Sequence, residues 1–442
     1  MRVLIISYYF SPCELTAANR AASWARYFPQ NGIDCTVVTR KWERPIKTFT
    51  DIGYSTTPGV TVEHNGNCTV HRVPYTASIK DLLFQKYNGK IAVVLRKFLS
   101  LLELLIQNIS LRLSSYHQMY TVAKEICESE KIDAIIISGQ PFISFKVGYL
   151  LNKKFNIPWI ADYRDAWTTC KMSFVGRSSS YKLLNQYDRF FEKKWIKTAK
   201  FITSVSEPLA NEIGEFVQRP YRVIENGFED DLFDSIPVKP KYPTFTITHI
   251  GTLYSIQDIS TFLEGCVQFI KKNSIRSNEL RIRFVGLAID PKQVARVLNF
   301  NDELIPFIEI TNRISHSEAL LAERQSHLLL FVGMPDITGI TSSRIYEYCA
   351  SGTQILLAPN DNGVVNSIIT SSKTGVSFDN AFDVSEFLKQ CYHKYLNGNF
   401  DPLSGIETNA EQYKRSIQAA KFATYLTKIL SNDSISGSKS PI

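Results

Sequence analysis

The stretch that most limits what this chain can fold into is residues 338–363, TGITSSRIYEYCASGTQILLAPNDNG. It reads as a loop, a short helix, a glycine stop, a buried strand and a second loop. Ser342 or Ser343 can cap the helix, because a hydroxyl accepts from one of the orphan amides of the first turn. Gly352 can end it in a left-handed cap. Between those stops Arg344 and Glu347 lie three apart and share a face, while Ile345, Tyr348 and Cys349 can face a sheet. Hydroxyls, free amides and a cation at a helix start suit a diphosphate, since aligned peptide dipoles attract anions. The carboxylate further in suits paired sugar hydroxyls, because an ionised carboxylate only accepts. The plainer alternative is an ordinary surface ion pair, worth about 0.2–0.5 kcal/mol and without function.

A second informative stretch is PWIADYRDAW, residues 158–167. A strand over Trp159–Ala161 runs into Asp162, Arg164 and Asp165. Three charged groups then gather beyond the carboxyl end of a parallel strand, where open α/β sheets bind ligands. Two carboxylates with an arginine can orient an acceptor hydroxyl or take its proton. A salt-bridged cluster that only ties a loop down is the alternative.

At these two stretches the chain resembles glycosyltransferases of the large retaining family 4. The resemblance implies an α/β GT-B fold, two Rossmann-like doubly wound domains facing a central cleft. Glu347 in IYEYCASGTQILLA matches the second Glu of that family's Glu-x7-Glu signature, which binds the nucleotide ribose. The first Glu falls at position 339, here Gly339. A branch of the family involved in bacterial surface polysaccharides has Lys or Arg before the YEY instead, and it commonly shows Asp-x-Arg-Asp-x-Trp, matched by Asp162, Arg164, Asp165 and Trp167. The resemblance further implies a donor pocket built from Gly251, Thr252, Gly286, the backbone near Ile314, Gly339, Ser342, Ser343, Arg344 and Glu347. Relatives carry a Gly-rich turn after the first strand, facing donor phosphates and acceptor. Here Thr16, Ala17, Ala18 and Asn19 stand there, followed by Arg20. Many relatives also have an Arg and a Lys just after the glycine matched by Gly251. Thr252 and Gln257 occupy that region, so the diphosphate charge is assigned to Arg344.

The implied activity is transfer of a sugar from a nucleoside diphosphate sugar to a glycan or lipid-linked acceptor, with retention, by a hexosyltransferase-type enzyme of surface-polysaccharide synthesis. A nucleotide-sugar epimerase of the same fold and a non-catalytic nucleotide-sugar-binding protein remain as alternatives.

At 442 residues and 44% hydrophobic, the chain can form two or three domains with real cores. Its eight cysteines include no CxxC pair, which argues against a zinc site and suggests the reduced thiols of a cytoplasmic protein. His249, His316 and His327 lack a ligand spacing and read as structural. No Asp-x-Asp is present, so no metal is indicated and no cofactor is expected beyond the sugar nucleotide. The absence of any GxG rules out the dinucleotide fingerprint and a Walker A loop. A net charge of +8 suits an anionic partner; phosphates, nucleic acid and an anionic membrane all qualify by charge. The expected partners are a nucleotide sugar and its acceptor, with no nucleic acid. The segment from Lys90 to Arg112 combines Leu, Ile, Val and Phe with Lys90, Arg96, Lys97 and Arg112. It reads either as a surface that rests on the inner face of an anionic bilayer or as a core-packing helix pair with a basic outer face. MRVLIISYYFSP reads as a first strand and not as a signal peptide, and no run of about 18 apolar residues predicts a membrane span.

In order, strands are expected at Val3–Tyr8, Asp34–Val38, Thr69–Val73, Asp133–Ser138, Phe201–Val205 and Tyr221–Ile224, with helical pattern over 79–130 and 181–198. A linker at 228–243 separates an acceptor domain, 1–235, from a nucleotide-sugar domain, 243–407. The second domain carries strands at Phe245–Ile250, Arg281–Val285, Ile308–Ile314 and His327–Val332. By resemblance, a helix over 408–430 crosses back to the first domain, and 431–442 form a disordered tail.

Overall fold

In this computed structural model the described residues are 1–432 apart from 45, 47–48, 88–89, 170–178, 336, 338, 340–341, 399, 401–402 and 404–406. Cys170, Thr338 and the expected tail from 433 lie outside them. The chain divides into two compact units, Met1–Glu225 with Gln418–Ile442, and Asn226–Ile417. It leaves the first unit at Glu225 rather than at 235. Phe228 shows why: it is buried in the second unit, where its N–H donates to Tyr413 O at 3.1 Å and its carbonyl accepts from Arg415 N at 2.9 Å.

The first unit holds β1 (Arg2–Ser7), β2 (Asp34–Arg40), β3 (Thr61–Asn65), β4 (Cys68–Val73), β5 (Ala134–Gly139), β6 (Trp159–Tyr163), β7 (Phe201–Ser204) and β8 (Tyr221–Val223). They form one sheet in the order β3-β4-β2-β1-β5-β6-β7-β8. Only β3 and β4 pair antiparallel. Its central strands β1 and β5 carry the apolar runs VLII and AIII because a parallel sheet is covered on both faces. Val3 and Ile5 join one core with Trp24, Phe28 and Phe422, while Leu4 and Ile6 join another with Phe145, Trp159 and Trp195. The helical pattern over 79–130 resolves into Ile79–Lys86, Lys90–Ile109 and His117–Ser129.

The second unit holds β9 (Phe245–Ile250), β10 (Leu280–Val285), β11 (Ile308–Thr311), β12 (Leu328–Phe331), β13 (Gln354–Leu357) and β14 (Gly375–Ser377), all parallel in the order β11-β10-β9-β12-β13-β14. The same two-sided burial recurs: Leu328 and Leu330 face one core, Leu329 and Phe331 the other. In each unit the strand order reverses beside its first strand, between β1 and β5 and between β9 and β12. Such a reversal opens a crevice beyond the carboxyl ends. The last helix is Arg415–Asn432, so it starts later than 408, after a single turn at Ala410–Tyr413, and residues 431–432 are helical rather than tail.

Two buried polar clusters hold the first unit's carboxyl edge. β6 extends through Asp162, whose side chain is fully buried and ion-paired with Arg20 at 2.7 Å. Arg20 donates from Nε and Nη2 to that carboxylate and from Nη1 to Ile224 O, and Thr203 and Ser138 hydroxyls complete the carboxylate's partners. Further along the same edge Glu192 is buried against the loop after β6, accepting from Tyr163 Oη at 2.9 Å and from the Thr168 hydroxyl. Burial pushes its carboxyl up to about 7.

Truncating Arg20 to Ala leaves the Asp162 charge buried and unpaired, and should cost about 3–5 kcal/mol in urea unfolding. Arg164→Ala, which breaks a partly exposed contact, should cost less than about 1 kcal/mol. For Glu192 the folded chain binds its proton more tightly than the unfolded chain does. Stability contributed there is present at the acid end and falls as pH rises from about 4.5 through about 7. Glu192→Gln should flatten that slope when unfolding is measured on both sides of the window.

Candidate functional site

In the second unit the residues expected to hold a donor meet along the carboxyl edge of the sheet. Gly251 follows β9 with φ +120°, and Gly286 follows β10 with φ +89°. Both lie in the region that favours glycine. Gly251 N donates to Val285 O at 2.9 Å and Gly286 N to Thr311 O at 3.1 Å, so each turn hangs on the neighbouring strand. A Cβ on Gly286 would lie 3.9 Å from Gly251 O and 3.8 Å from Arg313 Cγ. The backbone of the two glycines is thus in near contact, with Thr252 half-buried beside it. Ile314 follows and is exposed. Ser315 and Glu318 form a reciprocal capping box that starts the helix His316–Gln325.

His316 sits in the first turn of that helix and reaches across the edge. Its Nε2 lies 3.3 Å from Glu347 Oε1. Glu347 in turn pairs with Arg344 Nη1, and the same Nη1 lies 3.3 Å from Glu323 Oε1. Arg344 and Glu347 are partly exposed, at 28% and 20%, whereas Glu323 is at 0%. Arg344 Nε and Nη2 make no hydrogen bond among the described residues. Burial raises the Glu323 carboxyl well above the usual range; the Arg344 charge opposes this and the Glu347 charge adds to it.

The expected helix is there as Arg344–Ala350. Ser342 Oγ accepts from Arg344 N at 3.3 Å, Ser343 is the residue before the first turn, and Gly352 follows with φ +74°. Ile345, Tyr346, Tyr348 and Cys349 are buried in one core, and Tyr348 Oη accepts from Ile250 N at 2.9 Å. With seven residues the helix sums few peptide dipoles. The positive end of the site is therefore the Arg344 guanidinium rather than the helix terminus. Gly339 is buried with φ +83°; its neighbours Thr338, Ile340 and Thr341 lie outside the described residues.

One sequence reading changes here, that of His316, and one group that the sequence did not single out, Glu323, comes into view. Gln257, in the region where relatives carry a cation, is buried and donates to Val332 O at 2.7 Å. His316 was grouped with His249 and His327 as structural; burial lowers those two to about 4, but His316 is exposed and touches Glu347. Glu323 carried no local signal, since LLAERQ is an ordinary amphipathic run and its partner lies 21 residues on.

In the first unit, Arg20 and Asp162 were expected to face phosphate and acceptor. Their burial and mutual pairing, described above, give them a structural role instead. Arg164 and Asp165 do surface at the carboxyl edge. Arg164 Nη2 donates to Gln140 Oε1 at 3.0 Å, and its Nε to Asp165 Oδ2 at 3.3 Å. Thr16 is exposed and Ala17 half-buried at the start of the helix Thr16–Tyr27. A groove of about 750 Å³ in this unit, lined among others by Glu207, Arg219, Arg222 and Lys421, contains none of these residues, so the candidate site rests on side-chain chemistry and strand-end position. Among the described residues no group of three or more His, Cys, Asp or Glu is placed to hold a metal ion, and no helix is long and apolar enough to cross a membrane.

No family model matches the chain, and no curated protein matches it. Solved structures do. The α,α-trehalose 6-phosphate synthase of Burkholderia multivorans matches with a TM-score of 0.61 at 10% identity, over 100% of this chain and 99% of that one. A glycosyltransferase of Rickettsia africae ESF-5 gives 0.58 at 13% identity, over 98% and 99%. Trehalose-6-phosphate from E. coli bound with UDP-2-fluoro glucose, as that structure is described, gives 0.56 at 11% identity, over 98% of each chain. At such identities the likeness is one of fold, and the fold is the GT-B type, with two Rossmann-like units of parallel sheet and helices.

Proposed function

We propose that the chain is a glycosyltransferase that takes a nucleoside diphosphate sugar on its second unit and transfers the sugar, with retention, to a glycan or lipid-linked acceptor. The observation that carries this reading is Arg344. Its guanidinium stands at the carboxyl edge of a parallel sheet with Nε and Nη2 unengaged among the described residues, beside a carboxylate that can turn to a ribose. Arg344 meets the diphosphate charge that develops as the sugar leaves, Gly251 and Gly286 admit the phosphates close to backbone amides, and the chain near Ile314 meets the base. Arg164 and Asp165 are the acceptor-side groups that remain at the surface of the first unit. Resemblance at 158–167 and 338–358 adds the surface-polysaccharide setting.

A second observation concerns where the enzyme works. The helix Lys90–Ile109 turns Val94, Phe98, Leu101, Leu102 and Ile109 outward; Val94 is 69% exposed, Phe98 60% and Ile109 75%. These positions follow a spacing of three and four and so form one stripe. Polar contacts hold the helix on its other side: Lys146 Nζ donates to Gln107 O and Asn108 O, and Tyr187 Oη to Leu105 O. Residues 79–112 carry six Lys or Arg against two Asp or Glu, a balance of +4 within a chain of +8. An apolar stripe with a basic surround fits an anionic bilayer surface, where apolar burial and about 1 kcal/mol per basic residue add.

Arg344→Ala and Glu347→Ala should each abolish transfer with the fold intact, a loss of about 2–4 kcal/mol in transition-state stabilisation for the arginine. A panel of nucleotides and nucleotide sugars should raise the wild-type melting temperature through mass action; wild-type turnover by either variant would overturn the site. An epimer formed without acceptor would favour epimerisation, and binding without hydrolysis or transfer a non-catalytic role. In sedimentation at low salt the protein should follow anionic vesicles, and Phe98→Asp with Leu101→Asp should release it. Wild-type protein left in the supernatant would remove the membrane contact.

A further inference from the structure

We propose that Glu323 is a positioning residue that holds Arg344 in place for a diphosphate while Glu347 exchanges that arginine for the nucleotide ribose. This inference rests on the donor-site reading above. Both carboxylates meet the same guanidinium nitrogen, Nη1, but they differ in freedom. Glu323 is at 0% exposure in the interior of the helix His316–Gln325, and Arg344 is the one hydrogen-bond partner of its carboxyl group among the described residues. Its second oxygen, Oε2, is buried without a partner among the described residues. Glu347 is 20% exposed, stands between Arg344 and the exposed His316, and can rotate toward solvent.

The difference bears on charge. If both acids were ionised, Arg344 would sit between two negative charges and would repel a diphosphate rather than draw it. Burial favours the neutral form of Glu323. It then acts as a hydrogen-bond acceptor that fixes the guanidinium plane and leaves the positive charge for the ligand. When Glu347 turns to sugar hydroxyls, the interior contact alone keeps the guanidinium in place, with Nε and Nη2 unengaged among the described residues. Tyr348, whose hydroxyl accepts from Ile250 N, and Thr353, whose hydroxyl donates to Glu323 O at 2.8 Å, pack around the same point from the neighbouring helix and turn.

The test measures Kd for UDP, ADP, GDP and inorganic pyrophosphate by calorimetry on the full chain, with the melting temperature of each ligand-free variant recorded alongside. Glu323→Gln keeps an acceptor at the same reach and should bind the preferred probe within about threefold of wild type. Glu323→Asp keeps the carboxyl but draws it back from Nη1, and should weaken binding on the order of tenfold, as should Glu323→Ala where it folds. A purely structural role would lower the melting temperatures without this order of affinities. Wild-type affinity in Glu323→Asp, or Glu323→Gln as weak as Glu323→Asp, overturns the inference while an inactive Arg344→Ala leaves the donor site standing. If wild type binds none of the probes, or Arg344→Ala binds them as wild type does, the donor-site reading itself fails.

Discussion

Where parallel strands are buried on both faces, they have no room for a charge except at their ends. That constraint acts on the most buried strands of both units. The runs VLII, AIII and LLLF are spent on two cores at once, and the groups able to do chemistry gather where the strands run out. Placement there is not enough to make a residue functional. Asp162 and Glu347 both follow from the same positional logic, yet one is enclosed by Arg20, Thr203 and Ser138 and the other stays partly exposed.

The contrast between these two carboxylates is a contrast in desolvation. Asp162 sits one residue inside the end of its strand, since β6 runs to Tyr163. An ionised side chain in that position is tolerated only with a complete set of partners, and the guanidinium of Arg20 supplies most of them. Glu347 lies on the outward side of a short helix and keeps a water-facing edge. The same reasoning separates Arg20 from Arg344. One arginine has its donors spent on the protein, and the other has two nitrogens unengaged among the described residues.

Much of the fold was legible because its signals are local. The strands Phe245–Ile250 and Leu280–Val285 fall, to within a residue, where the sequence puts them. The helix with Arg344 and Glu347 was readable from its serines, its spacing and Gly352. β14 was missed because three residues carry no period, and β3 because all five of its residues are exposed. The strand end at Asp162 was placed two residues early because a charged residue was taken as a stop. Its partner is 142 positions away, and no window of sequence shows it. The contacts of Glu323 and His316 with the Arg344–Glu347 pair were hidden for the same reason. They come from which helix lies against which, a fact of tertiary packing.

The hydroxyl of Tyr348 accepts the last amide of β9. Because that bond is buried, a helix that slid or rotated would strand the amide in an apolar interior, at a penalty of about 1–3 kcal/mol. The bearing surface for Arg344 and Glu347 is therefore keyed to the central strand of its sheet, and the two side chains can swing while their platform stays fixed.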